Sequence, residues 1–280
     1  AMDFDDRGSR NPSLASKLQP GELPQLVINA ATCKMTVWVG RADNAAGRRI
    51  LAEYPVAVGS PKFESPVLRG RIDQLIWNPD WKPPKSGWAR DEKYTPPGPK
   101  NPLGKVKMNI ASDYYIHGTN NEKSVGRQVS HGCVRMKTRD VVTLAMTLQE
   151  LYGIDRDRVD VLNTWQRCVV RLSRGIPVSL VYNPIYVDDQ TLIIYPDSYE
   201  RKPDLEKSIY EILLEHNWMV SLLDPAKVRS LSQRNDQRRI EVPISSLFMH
   251  GVGLRLIDPQ LENIRYTWVS RIGDLQPIFD

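Results

Sequence analysis

Two histidines and one cysteine share the stretch Tyr115 to Met136, YIHGTNNEKSVGRQVSHGCVRM. A thiol performs acyl transfer at neutral pH only as thiolate, and a neighbouring imidazole is the usual means of reaching that state. Cys133 stands in Ser130-His131-Gly132-Cys133-Val134-Arg135, and His117 ends an apolar run upstream, beside Gly118. Gly132 permits the unusual backbone needed to expose a sulfur and the N–H groups next to it. Arg135 adds a fixed cation suited to a carboxylate through forked hydrogen bonds. The combination points to a cysteine acyl-transfer enzyme. Singly, each residue has a plainer reading: strand-end histidines are more often structural, lone cysteines are more often buried hydrophobes, and His131 could itself be the base. A zinc site from His117, His131 and Cys133 is a further alternative, but a single glycine between two ligands is poor chelate spacing.

These residues need strands and turns to hold them. Residues 26–39 are rich in β-branched side chains and break near Ala30-Ala31-Thr32, which predicts two strands and a turn. Arg41 to Gly47 reads as a hairpin tip and Leu51 to Val58 as the returning strand. From 60 to 105 the prolines Pro79, Pro83, Pro84, Pro96, Pro97, Pro99 and Pro102 argue for one long irregular loop. Its tryptophans Trp77, Trp81 and Trp88 would either pin it to the core or wall a binding site. Val106 to Ile116 predicts one strand delivering His117. Thr138 is the expected N-cap of a helix over 139–152, whose Val141, Val142, Leu144, Ala145, Leu148 and Leu151 share a face before Gly153. Short strands are expected at 159–162, 169–172 and 177–182. Further on, 192–195 predicts a strand and 203–218 a helix with Pro203 in its first turn, followed by strands at 239–242, 253–257 and 264–269.

The bulk numbers are those of a globular protein: 280 residues, 41% hydrophobic and 25% charged, enough for one large domain or two modest ones. The net charge of +5 is spread along the chain without a dense basic block, which disfavours nucleic acid as a partner. No apolar window is long enough to span a bilayer, and the polar start carries no signal peptide. Cys33, Cys133 and Cys168 form no CxxC pair. Cys33 and Cys168 could be a disulfide, or two buried thiols.

The segment resembles the YkuD-type L,D-transpeptidases, whose pattern runs His-Gly-Thr, a polar loop with Gly, then Ser-His-Gly-Cys-x-Arg. The matches are His117-Gly118-Thr119, Gly126, Ser130-His131-Gly132-Cys133 and Arg135, while Pro97 to Gly104 is similar to a stretch of the Gram-negative envelope branch. The resemblance implies a mainly β fold: a β-sandwich catalytic domain over 24–183 with a helix after the cysteine. A lead-in precedes it at 1–23, and an appended C-terminal α+β module follows at 184–280. It implies Cys133 as nucleophile, His117 as base oriented by the Gly118 carbonyl, N–H groups of Gly132 and Cys133 as oxyanion donors, and Arg135 positioning the site. Ser130, His131, Thr119, Tyr115 and Trp88 are expected near substrate. The implied substrates are peptidoglycan stem peptides, with an amine of another stem or of an envelope lipoprotein as acceptor. No cofactor is expected, and a monomer in the periplasm or envelope is. A hydrolase using the same site, or a wall-binding protein without activity, are the competing readings.

Overall fold

Strict alternation builds the first hairpin. β1 (Glu22–Asn29) and β2 (Lys34–Arg41) bury every second side chain and pair antiparallel around the turn at 30–33. The computed structural model describes residues 13–41, 44–154, 160–234 and 238–249. The hairpin tip expected at 41–47 is shorter: Arg41 ends β2, residues 44–47 already belong to a returning strand, and 42–43 lie outside the described residues. β3 (Asn44–Pro55) pairs back onto β2. The chain divides into two compact units, Ala1–Tyr182 and Asn183–Asp280.

β4 (Val58–Gly59), β5 (Leu68–Trp77), β6 (Val106–Ala111), β7 (Tyr114–His117), β8 (Gln128–Ser130), β9 (Val134–Arg135), α1 (Thr138–Tyr152) and β10 (Cys168–Val181) complete the first unit. Eight strands form one curled sheet in the order β3-β2-β1-β10-β5-β6-β7-β9. The pairs β1–β10 and β7–β9 are parallel, and β4 and β8 make a separate parallel ribbon. The fold class is mainly β, with a helix directly after the cysteine segment. α1 lays Val141, Val142, Leu144, Ala145 and Leu148 on the core, where Met108, Ile116, Met136 and Ile176 are also fully or nearly fully buried. Burial of such side chains contributes roughly 1.5–3 kcal/mol each.

Several expectations need correction. The 60–105 segment is not one loop, because Leu68 to Trp77 carries no proline and forms β5 in the middle of the sheet. Outside β5 the segment is largely irregular, at 60–67 and 78–105. The strand expected at 106–116 is a hairpin of β6 and β7, turning at Ser112-Asp113. The two strands expected at 169–172 and 177–182 are one, β10, with an irregularity between Arg171 and Ile176. Residues 160–162 are turn rather than strand, and position 159 lies outside the described residues. Thr138 is the first helical residue and not the cap: its N–H donates to Glu122 Oε1 at 2.9 Å. No disulfide joins the three cysteines, and Cys33 and Cys168 are buried.

The second unit has its own core. β11 (Ile185–Asp188), β12 (Thr191–Ile194) and β13 (Ile240–Pro243) form an antiparallel sheet, and α2 (Leu205–Glu215) and α3 (Pro225–Ser232) supply the helices. Ile185, Leu192, Ile209, Leu213, Val228 and Phe248 cluster together. Asp204 caps α2 by accepting from Lys207 N–H, which leaves Pro203 one residue outside the helix and not in its first turn. Asp224 caps α3 in the same way, with Pro225 at its start. The strands expected at 253–257 and 264–269 lie outside the described residues.

Candidate active site

Sheet register gathers the site. His117 on β7 lies opposite Lys107 on β6 and Arg135 on β9, so three residues stand abreast across three strands. One face of these strands is buried core, made of Val106, Met108, Ile110, Ile116 and Val134. Alternation puts Lys107, Asn109, Tyr115, His117 and Arg135 on the other. Cys133 stands one residue before β9, level with Tyr115, and Tyr115 N–H donates to its Sγ. Sγ also reaches the Asp113 carbonyl at 3.7 Å. His117 and Cys133 are therefore diagonal neighbours across this parallel pair. No hydrogen bond joins ring and sulfur among the described residues.

His117 Nδ1 lies 2.6 Å from the Gly118 carbonyl oxygen. A carbonyl can only accept, so Nδ1 carries the proton and Nε2 keeps its lone pair. Burial holds this imidazole neutral, pushing its pKa down to about 3, with the Arg135 and Lys107 charges acting in the same sense against the Gly118 bond. The Cys133 thiol is pushed above its ordinary value by burial, and Asp113 adds to this. Tyr115 N–H, Lys107 and Arg135 pull the other way, toward thiolate.

Gly132 has φ +108°, a conformation L side chains rarely adopt, and this bend presents Cys133. Its N–H, expected as an oxyanion donor, is held by Ser130 Oγ at 3.1 Å. Ser130 Oγ in turn donates to the Cys133 carbonyl at 2.6 Å, and Ser65 Oγ donates to the Gly132 carbonyl at 2.7 Å. Ser130 thus braces the cysteine loop. Thr119 is buried and accepts from Asn121 N–H, bracing the chain after His117. His131 is exposed and stacks on Trp88, ring centroids 3.8 Å apart and 7° from parallel, with Phe63 tilted beside it at 4.7 Å. Trp88 therefore meets the cysteine loop directly. The Gly118-bound ring, His117, and not His131, is the oriented one.

The irregular segment 78–105 is anchored from within. The Asn101 side chain is fully buried and donates to the carbonyls of Pro79, Thr95 and Pro96 while accepting from Leu103 N–H. Gly104 and Gly118 cross so closely that a Cβ on Gly104 would lie 2.8 Å from Thr119 N. Sequence reasoning missed two residues of the site's face. Lys107 holds its ammonium 3.7 Å from the Tyr115 ring centroid. Asn109, opposite Tyr115, carries a buried Oδ1 without a hydrogen-bond partner among the described residues. Only the β6–β7 register reveals either. Among the described residues no group of three His, Cys, Asp or Glu side chains is placed to hold a metal ion.

Comparison with known proteins is now decisive for the family. The model of the L,D-transpeptidase catalytic domain, YkuD, matches residues 24–161. A putative L,D-transpeptidase of Bacillus subtilis (strain 168), YqjB, is 31% identical over 135 residues, which are 46% of this chain and 68% of that protein. This chain belongs to the YkuD family of L,D-transpeptidases. Another relative, the putative L,D-transpeptidase YkuD of Bacillus licheniformis, is 36% identical over 98 residues, 35% of this chain and 47% of that protein. The YkuD-family chain thus spans under half the length of that relative. Among solved structures, an L,D-transpeptidase from Mycobacterium smegmatis aligns with a TM-score of 0.37 at 17% identity, covering 57% of this chain and 59% of that one.

Proposed function

We propose that the chain is a peptidoglycan L,D-transpeptidase that acts through a thioester on Cys133. The observation carrying this reading is the His117 ring fixed on the Gly118 carbonyl, which leaves Nε2 free on the same sheet face as the cysteine. Rotation of the Cys133 side chain away from Asp113 brings sulfur toward that lone pair; catalytic contacts often tighten only when substrate is bound. His117 Nε2 then takes the thiol proton as sulfur attacks the carbonyl of the third stem residue, a diaminopimelate. The negative oxygen falls to the N–H of Cys133, joined by that of Gly132 when substrate competes with Ser130; one such donor is commonly worth about 3–4 kcal/mol. The C–N bond to the terminal D-Ala breaks, and the imidazolium returns its proton to the departing amine.

An acceptor amine then attacks the thioester. Its proton passes to His117, the C–S bond breaks, and sulfur is reprotonated from the ring. Arg135, half-buried beside His117, holds a substrate carboxylate. The acceptor is an amine of a neighbouring stem or of an envelope lipoprotein, and the site of action is the periplasm or outer envelope. The stacked Trp88 and His131 form a wall beside the sulfur. Digestion of a purified disaccharide-tetrapeptide followed by mass spectrometry tests the reading. Dimers with loss of D-Ala are expected, together with a carbapenem adduct absent from Cys133→Ser. Shortened stems without dimers would replace the transferase by a hydrolase, and neither product nor adduct would leave a wall-binding protein.

A further inference from the structure

In the sequence, Lys107 is only a residue of the strand expected over 106–116. The structure gives it another setting: it sits opposite His117 in register, half-buried, with its ammonium over the Tyr115 ring at 3.7 Å. Tyr115 is also the residue whose N–H reaches the Cys133 sulfur. Arg135 occupies the equivalent place on the far side of His117. We propose that Lys107 is a functional residue of this site, a positioning cation that, with Arg135, flanks the imidazole across three strands and holds negative charge on the reacting sulfur. The proposal rests on Cys133 being the nucleophile.

The layout separates the two members of the pair. A cation near both groups favours thiolate and disfavours imidazolium. Lys107 and Arg135 therefore support charge on the sulfur without support for a resting ion pair between the two side chains. Stacking over Tyr115 holds the half-buried ammonium on this face. The charged and titratable groups around the sulfur are Lys107 from β6, Asp113 from the β6–β7 turn, Tyr115 and His117 from β7, Arg135 from β9, and His131 in its own loop. Around Lys107 itself, burial pulls the ammonium below its ordinary value, Cys133 and Asp80 support its charge and Arg167 opposes it, Asp80 and Arg167 being paired at 3.4 Å.

The rate of Cys133 alkylation by iodoacetamide as a function of pH, with adduct position read by mass spectrometry, tests the idea. Lys107→Met is expected to move the midpoint upward by about one pH unit, and so to slow alkylation about tenfold below it. Lys107→Arg is expected to restore the profile. A merely structural loosening would act oppositely, because wetting a buried thiol lowers its pKa. An unchanged or lowered midpoint in Lys107→Met overturns the proposal, and Lys107→Gln provides the same comparison if the methionine variant does not fold. Loss of stem-peptide turnover in Cys133→Ser tests the nucleophile assignment on which the proposal rests, and the alkylation profile tests Lys107, so the two failures are told apart.

Discussion

A buried neutral imidazole has consequences for both stability and rate. His117 in the folded chain resists protonation down to about pH 3, whereas in the unfolded chain it takes a proton near its ordinary value of 6.5. Its folded pKa is depressed, so this contribution to stability is fully present above pH 6.5 and is lost as pH falls toward 3. The thermal midpoint of the wild-type chain should therefore fall through that window, and His117→Gln should flatten the decline; equal slopes for the two proteins would refute the assignment of this window to His117. Gly132 makes a second residue-level case. At φ +108°, with Tyr114 Cε1 3.3 Å from where a Cβ would be, alanine must shift the loop that carries the sulfur. Strain of this kind costs about 1–3 kcal/mol. A displacement of about 1 Å at a reacting atom costs about a hundredfold in rate. Gly132→Ala should thus lose about a hundredfold in acylation by a carbapenem while keeping a cooperative thermal transition; wild-type acylation would sink the claim.

At the scale of elements, the site depends on a crossing of two glycines. Gly104 ends the proline-rich segment and Gly118 follows the base, and their backbones pass too closely for a Cβ on Gly104, while one on Gly118 would crowd Gly104 Cα at 3.2 Å. Asn101 fastens the same segment with four hydrogen bonds from one buried amide. Asn101→Ala removes them and leaves Leu103 N–H and three carbonyls without that partner. At about 0.5–1.5 kcal/mol per bond, a loss of roughly 2–6 kcal/mol is expected in chemical denaturation. Limited proteolysis should then cut within 78–105, and unchanged protection there would show that the prolines alone hold the segment.

Much of this architecture was legible in the residues. Alternation marked β1 and β2, a 3.6-residue period marked α1, and the His-Gly-Thr and Ser-His-Gly-Cys pairing marked the site. The central strand β5 was hidden because prolines on its far side coloured the reading of the whole segment, although Leu68 to Trp77 carries none. The β6–β7 hairpin was hidden because Ser112-Asp113 turns the chain without glycine or proline. Lys107 and Asn109 were invisible for a deeper reason: a polar residue in an alternating strand declares which face it is on, but not which neighbours share that face. Only register supplies them.

For the whole molecule, the division at Tyr182 implies two cores that lose their packing separately. Leu148 belongs to the first and Leu213 to the second, each fully buried. A leucine truncated to alanine in such a position costs about 2–5 kcal/mol, the cavity adding to the lost transfer energy. Chains with two cores commonly depart from all-or-none unfolding, so calorimetry should resolve two transitions. Leu213→Ala should lower one of them and leave carbapenem acylation of Cys133 at its wild-type rate. Leu148→Ala, which opens the core beneath α1 and the strands carrying His117, should lower the other transition together with the acylation rate. With the two cores independent, the effects of the two substitutions should add in the double variant. A single transition that moves equally with either change would mean that the second unit is part of the catalytic domain's fold, and that its own helices and sheet do not stand by themselves.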